Sequence, residues 1–350
     1  MGKVTVTDVA KLSGVSIGTV DRVLHNRGEV SAKTKAKVKA AIKELGYEMN
    51  LNASLLAKKD DLMIASIQPE HDKGDYWDNI CTGYKLGRED CKKFGTQGKV
   101  WFFSQYDSES FRKTCEEVLV ANPDGVIFPP FFPEEAEKFT EELVRKKIPY
   151  VLIDTKLPND KHLAFFGTQM YRSGELCGSL LTERCRKEDV KEVLNIRILR
   201  DKDKRSDPTV NRRKGFLAFM TEHFPDCKIY NLFIDPLDKD SSDRKLQEFL
   251  DEHPDLKLIA MLSSRIHLTC DVLSKNRRED MRIIAFDNLD KNIEALKNGT
   301  VDVLIASKIT KLSYSAYSLL SEHLAMKNEV TERDHHLHLD ILTKYNLENY

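Results

Sequence analysis

The sequence predicts an α/β protein: a small all-α head ahead of a larger body made of two lobes, each built on a parallel sheet. Three observations predict it. The first 48 or so residues carry apolar side chains at helical spacing and no strand-like run. From Leu62 onward short apolar runs alternate with amphipathic helical stretches. That is the texture of parallel strands covered on both faces. Nine such runs across the rest of the 350 residues exceed one comfortable domain and call for two similar lobes.

The head is read element by element. Thr5 precedes an apolar-periodic run and Asp8 follows three residues later, a capping-box-like start. Val9, Ala10 and Leu12 supply the buried stripe of a first helix. Gly14 stands where that helix must end in a left-handed residue. Ser16 caps a second helix that turns Val20, Val23 and Leu24 inward and Ile17, Gly18, Asp21 and Arg22 outward. Two short helices joined by a glycine turn form a helix-turn-helix, whose second helix meets base edges in the major groove of DNA. Ser31 caps a third helix, with Val38, Ala41, Ile42 and Leu45 inward and Lys35, Lys39 and Lys43 striping its solvent side.

Charge agrees with this reading. Up to Lys59 there are eleven Lys or Arg against five Asp or Glu, a balance of +6 in a chain whose net charge is −1, so the remainder carries −7. A basic head on an acidic body suits a domain that sits on phosphates. Gly14-Val15-Ser16-Ile17-Gly18 fits the G-x-S-x-G pattern of a hydrolase nucleophile elbow, but that motif needs a strand before its serine, and here a helix is expected.

These residues resemble the amino-terminal region of the LacI–GalR family of bacterial transcription regulators. The likeness rests on Thr5, Asp8-Val9-Ala10, Gly14-Val15-Ser16, Thr19-Val20, Arg22-Val23, Val30-Ser31, Thr34, Lys37-Val38, Leu45-Gly46-Tyr47, Asn50, Ala53 and Leu56-Ala57, held at the family's spacing without a gap. The resemblance implies that Ile17, Gly18 and Arg22 lie in the major groove. It implies phosphate contacts from Thr5, Ser16, Thr19, Asn26, Ser31 and Thr34. It further implies a hinge helix over Asn50–Ala57, including Ala53, that wedges Leu56 into the minor groove and kinks the duplex. The division expected is a head over 1–48, a hinge helix and linker over 49–61, and a two-lobed effector-binding and dimerisation body over 62–350.

Strands are expected at Leu62–Ile67, Lys99–Phe103, Gly125–Phe128, Tyr150–Ile153, Val190–Ile198, Lys228–Ile234, Leu256–Leu262, Arg282–Phe286 and Val301–Ala306. In open parallel sheets ligands bind beyond the carboxyl ends of strands. Tyr76-Trp77, Asp154, Ser263-Ser264-Arg265 and Asp287 follow such ends, and Arg212 opens a helix within Asn211–Phe216. Carboxylates, arginine and aromatics converging on a cleft suit a sugar-like polyol. The body is similar to the periplasmic-binding-protein-like, ribose-type sensor of the same family. That resemblance matches Arg212 to the family's ligand arginine and Asp287 to its ligand acid. It places Asp154 and Tyr76-Trp77 in corresponding loops, with Gln169 and Ser263 where the family often has an acid or amide and an Asn. A buried Arg212 is expected to pair with these acids when the cleft is empty.

The expectation is a sequence-specific transcription regulator: a homodimer on palindromic double-stranded operator DNA, repressing carbohydrate genes until a small sugar-like effector releases it. One recognition helix offers too few contacts for useful affinity, hence two heads. The alternatives are a regulator with a degenerate sensor answering to a partner protein, an activator, and, from other classes, a two-lobed enzyme or a solute-binding protein. No GxGxxG or Walker pattern supports a nucleotide, and no cofactor or metal is expected; seven cysteines show no metal spacing and read as reduced thiols. No apolar run reaches the roughly 18 residues of a membrane helix, and the first helix starts too early to leave a signal peptide, so a cytoplasmic protein is expected.

Overall fold

The head folds as its capping residues dictate. The computed structural model describes residues 4–24, 28–47, 62–158, 161–199 and 209–349. Helix α1 (Val6–Ser13) opens on a full capping box, with Thr5 N–H donating to Asp8 Oδ2 at 2.8 Å and Asp8 N–H returning to Thr5 Oγ1 at 3.4 Å. The Thr5 hydroxyl, donating to Asp8 Oδ2 at 2.7 Å, and then the Thr5 N–H hold the Asp8 carboxyl below its ordinary range. Gly14 ends α1 at φ 67°. Helices α2 (Ile17–Leu24) and α3 (Ala32–Leu45) follow, and Gly46 ends α3 at φ 59°. Val9, Ala10, Val20, Val38 and Ala41 form the small core. Leu12 departs from expectation: it is 45% exposed, and Ser13 takes the inward position in the last turn. The Ser13 hydroxyl donates to the Val9 carbonyl at 2.6 Å, so the buried polar atom is satisfied.

The body is two six-stranded sheets. Strands β1 (Leu62–Pro69), β2 (Thr96–Phe103), β3 (Gly125–Phe128), β4 (Tyr150–Ile153) and β5 (Ala164–Gly167) join β11 (Asp334–His336) in the order β11-β5-β4-β3-β1-β2, all parallel. Strands β6 (Glu192–Ile198), β7 (Lys228–Ile234), β8 (Leu258–Met261), β9 (Arg282–Phe286) and β10 (Val303–Ala306) join β12 (Asp340–Leu342) in the matching order β12-β10-β9-β8-β6-β7. Only β12 among these described strands runs antiparallel, against β10. Strands β3, β4, β8 and β10 are buried throughout, which is why each reads as an unbroken apolar run; β1 and β9 are nearly as buried but carry Ser66, Gln68 and Arg282.

Helices cover both sheets: α4 (Tyr76–Cys91), α5 (Ser108–Ala121) and α6 (Pro133–Arg145) in the first lobe; α7 (Met170–Thr182), α8 (Val210–His223), α9 (Lys239–Glu252), α10 (Cys270–Lys275) and α11 (Asp290–Lys297) in the second. Helix α12 (Ile309–Met326) follows β10 yet packs in the first lobe, burying Leu312, Ala316, Tyr317 and Leu320 in its core. The chain therefore passes between lobes three times, between Gly167 and Met170, between Ala306 and Ile309, and between His336 and Asp340. Helices α7 and α8 touch backbone to backbone: a Cβ on Gly174 would lie 1.8 Å from the Arg212 carbonyl oxygen, and one on Gly215 would lie 1.9 Å from that of Tyr171.

Candidate functional site

Two regions bring the expected residues together. In the head, Ser16 Oγ accepts from Thr19 N–H at 3.2 Å and lies 2.9 Å from Thr19 Oγ1. Ser31 and Thr34 repeat the arrangement at the start of α3, with Ser31 Oγ accepting from Thr34 N–H at 3.2 Å. Thr5, Ser16 and Ser31 thus each mark a helix amino terminus, where free N–H groups and the helix dipole favour an anion such as phosphate. On α2, Ile17 is 53% exposed, and Gly18 and Arg22 are exposed as well. The Arg22 side chain folds back along its own helix, Nε donating to the Gly18 carbonyl at 3.2 Å. A Cβ on Gly18 would meet nothing nearer than Ser16 Oγ at 3.9 Å, so this face is open to a partner. Asn26, Asn50, Ala53, Leu56 and the whole hinge segment lie outside the described residues.

In the body, Tyr76, Trp77, Asp154, Arg212, Ser263 and Asp287 line one cleft between the lobes. Gln169 does not: it is exposed at the start of α7, and its neighbours Thr168 and Met170 line the cleft instead. Asp154 and Asp287 sit directly after β4 and β9. Tyr76 Oη donates to Asp154 Oδ1 at 2.7 Å. Its enclosure in the cleft, with Asp154 and Asp287 nearby, holds the phenol well above its ordinary range. Trp77 stands edge-on to Tyr76 at 5.3 Å and packs against Phe131 at 6.3 Å, joining the first lobe's aromatic core.

Arg212 is buried, but not by the expected ion pair. Nε donates to Ser173 Oγ at 3.0 Å, Nη1 to the Leu262 carbonyl at 2.7 Å, and Nη2 to Met170 Sδ at 3.3 Å. The guanidinium carbon lies 3.8 Å from the Phe286 ring centroid, a cation–π contact. Uncharged partners thus fix the arginine, and Asp287 influences it only through space. Burial pushes the Asp287 carboxyl up to about 6; Arg212 opposes that rise and Asp154 adds to it. Such a pocket offers acceptors to hydroxyl donors and at least two spare guanidinium N–H groups to oxygen acceptors.

Sequence reasoning passed over Gln105, Phe131, Met170 and Thr209, which also line the cleft. Gln105 and Phe131 follow β2 and β3, so the strand-end rule could have found them.

Comparison with known proteins agrees with both regions. Residues 5–50 match the family described as bacterial regulatory proteins, lacI family, and residues 64–328 match the periplasmic binding protein domain. A crystal structure assigned as a LacI transcriptional regulator from Bacteroides fragilis superposes with a TM-score of 0.78 at 30% identity, covering 83% of this chain and all of that one. The chain belongs to the LacI family. Among curated LacI-type relatives, the HTH-type transcriptional regulator DegA of Bacillus subtilis is 31% identical over 45% of each chain. The sucrose operon repressor of Pediococcus pentosaceus is 29% identical over 63% of this chain and 61% of its own. The chain thus spans about half the length of the curated relatives it matches.

Proposed function

We propose that this LacI-family chain is a sequence-specific DNA-binding transcription regulator of carbohydrate use, acting in the cytoplasm as a homodimer on a palindromic operator. The observation that carries the reading is the pairing, in one chain, of a helix-turn-helix with an open recognition face and a two-lobed body whose cleft gathers Arg212, Asp154, Asp287 and Tyr76. The name of the sucrose operon repressor relative supports a sugar-like effector. Effector that prefers one arrangement of the lobes shifts that equilibrium, and with it the spacing of two heads on DNA; only a difference in affinity between the arrangements can do so. In this reading Arg22 and Ile17 meet base edges. Thr5, Ser16, Thr19, Asn26, Ser31 and Thr34 meet phosphates, and Asn50, Ala53 and Leu56 enter the minor groove. Arg212, Asp287 and Asp154 hold effector hydroxyls beside Tyr76, Trp77 and Ser263. The test is fluorescence anisotropy of the full chain on labelled DNA from beside its own gene, with and without a panel of sugars. Binding to an inverted repeat that one sugar reverses is expected. Equal binding to random DNA at matched salt would refute the reading.

A further inference from the structure

Arg265 stands on the second lobe, four residues after β8 ends, yet its side chain is held by the first. Nη1 donates to Tyr106 Oη at 3.0 Å and Nη2 to Gln105 Oε1 at 3.4 Å, both in the loop after β2. Each end of this bridge is anchored in its own lobe. On the Arg265 side, the Leu262 carbonyl accepts from Arg212, the Ser264 carbonyl accepts from fully buried Asn292 at 2.9 Å, and the Arg265 carbonyl accepts from Leu268 N–H at 3.1 Å. On the other side, Gln105 is buried and its Nε2 donates to the Glu70 carbonyl at 3.4 Å. Gln105 and Arg265 both line the cleft, so the bridge crosses the space a ligand would enter.

We propose that Arg265 is a positioning residue that latches the two lobes together through Tyr106 and Gln105 before any effector is bound. Charge-assisted hydrogen bonds are the stronger kind, and both acceptors are uncharged, so the latch engages neither Asp154 nor Asp287. A ligand whose competent arrangement is only fractionally populated binds more weakly by that fraction; the latch raises the fraction in advance. Losing it shifts the open-to-closed ratio by about tenfold or more. The regulatory meaning of this rests on the effector-cleft reading above, whereas closure itself is measured without effector or DNA.

The experiment uses the full chain carrying Trp101→Phe, which leaves Trp77 as the sole tryptophan of the two in the sequence. Trp77 is 6% exposed on the cleft wall, so acrylamide quenching of its fluorescence reports opening. Arg265→Ala is expected to raise the quenching constant at least about twofold, and Tyr106→Phe, which deletes one hydroxyl, by an intermediate amount. Small-angle scattering should show a larger radius of gyration in the same order. Quenching and radius unchanged from the parent in both variants would overturn the latch. If Arg265→Ala melts far below the parent, Tyr106→Phe decides alone. Operator titration separates the two readings. Unchanged quenching with sugar-reversible operator binding removes the latch and keeps the regulator. Raised quenching without operator binding does the reverse.

Discussion

Asp154 and Asp287 are counterparts: each is the first residue after the fourth strand, in chain order, of its sheet, and each holds a left-handed backbone, at φ 66° and 68°. Few side chains tolerate that conformation, and Asp and Asn are the main exceptions to glycine. The same turn in both lobes brings both acids to the cleft wall from opposite sides. The second acid therefore sits in a field that already contains the first, which adds to the cost of charging it.

Asp287→Asn should stabilise the protein at neutral pH. A carboxyl whose native value is about 6 against 3.8 unfolded binds more protons in the folded state between those values. Its contribution is thus harmless below about pH 4 and grows destabilising as pH rises to about 6, levelling off above. Asn fits the left-handed backbone, so the gain at pH 7 is up to about 3 kcal/mol. Thermal melts of both proteins from pH 4 to 8 should converge at the acid end; a constant gap across that range would mean the carboxyl is not the cause.

Arg212→Ala should abolish the rise in melting temperature that the releasing sugar gives, while operator binding persists. A sugar at a hundred times its dissociation constant adds about 2.7 kcal/mol to the wild type, which a thermal-shift assay resolves. If operator binding were lost and the sugar response kept, Arg212 would be a structural residue alone.

Gly215→Ala should act on the same cleft from behind. The new methyl would fall on the Tyr171 carbonyl, which is backbone and cannot swing away. Helix α8 must then part from α7, at about 1–3 kcal/mol, and carry Arg212 off Ser173 and Met170. Chemical denaturation should show the loss and calorimetry a weakened sugar affinity; a protein of parental stability would show that the helices had slack.

In the head, Arg22→Ala should cost about 1–3 kcal/mol on the operator and relax base preference, measured by anisotropy on operator and scrambled duplexes. Gly18→Ala meets open space, so it should stabilise α2 by about 0.5–1 kcal/mol, read from melting of the head, without disturbing its fold. A drop in stability would mean that the added methyl meets a neighbour within the head closer than Ser16 Oγ.

The legible parts of the fold were those where burial on two faces leaves a strand no choice but to be apolar. Gly125–Phe128, Tyr150–Ile153 and Arg282–Phe286 were read to the residue; so was Lys228–Ile234, a largely unburied edge strand recognised instead by its run of Ile229, Tyr230, Leu232 and Phe233. Strands β5, β11 and β12 were missed. Strand β5 follows β4 with no helix among the described residues between them, so the alternation that marks the others is broken. Strand β11 is Asp-His-His; His335 lies flat on Phe166 at 4.3 Å, and no apolar residue announces it. Strand β12 spans only three residues. The cleft was legible through its strand ends, which is why Asp154, Asp287 and Ser263 could be placed. Gln169 could not, because at the start of a helix one residue of slip turns a side chain from cleft to solvent. The Arg212 ion pair failed for another reason. A sequence shows which charges exist but not that a carbonyl, a thioether and a phenyl face will reach the arginine first.

The three passages between lobes make neither lobe a continuous stretch of polypeptide. A ribosome that has released everything through β10 has still not supplied α12, whose Ser313 and Thr310 fit against Gly83 and whose Leu320 packs against Gly125. Nor has it supplied the edge strand β11. The first lobe therefore cannot close its core until five strands of the second lobe have been made. Over that interval its apolar strands lack the helix that covers them, so the segment from Ile309 to His336 decides whether the first lobe stays soluble as it forms.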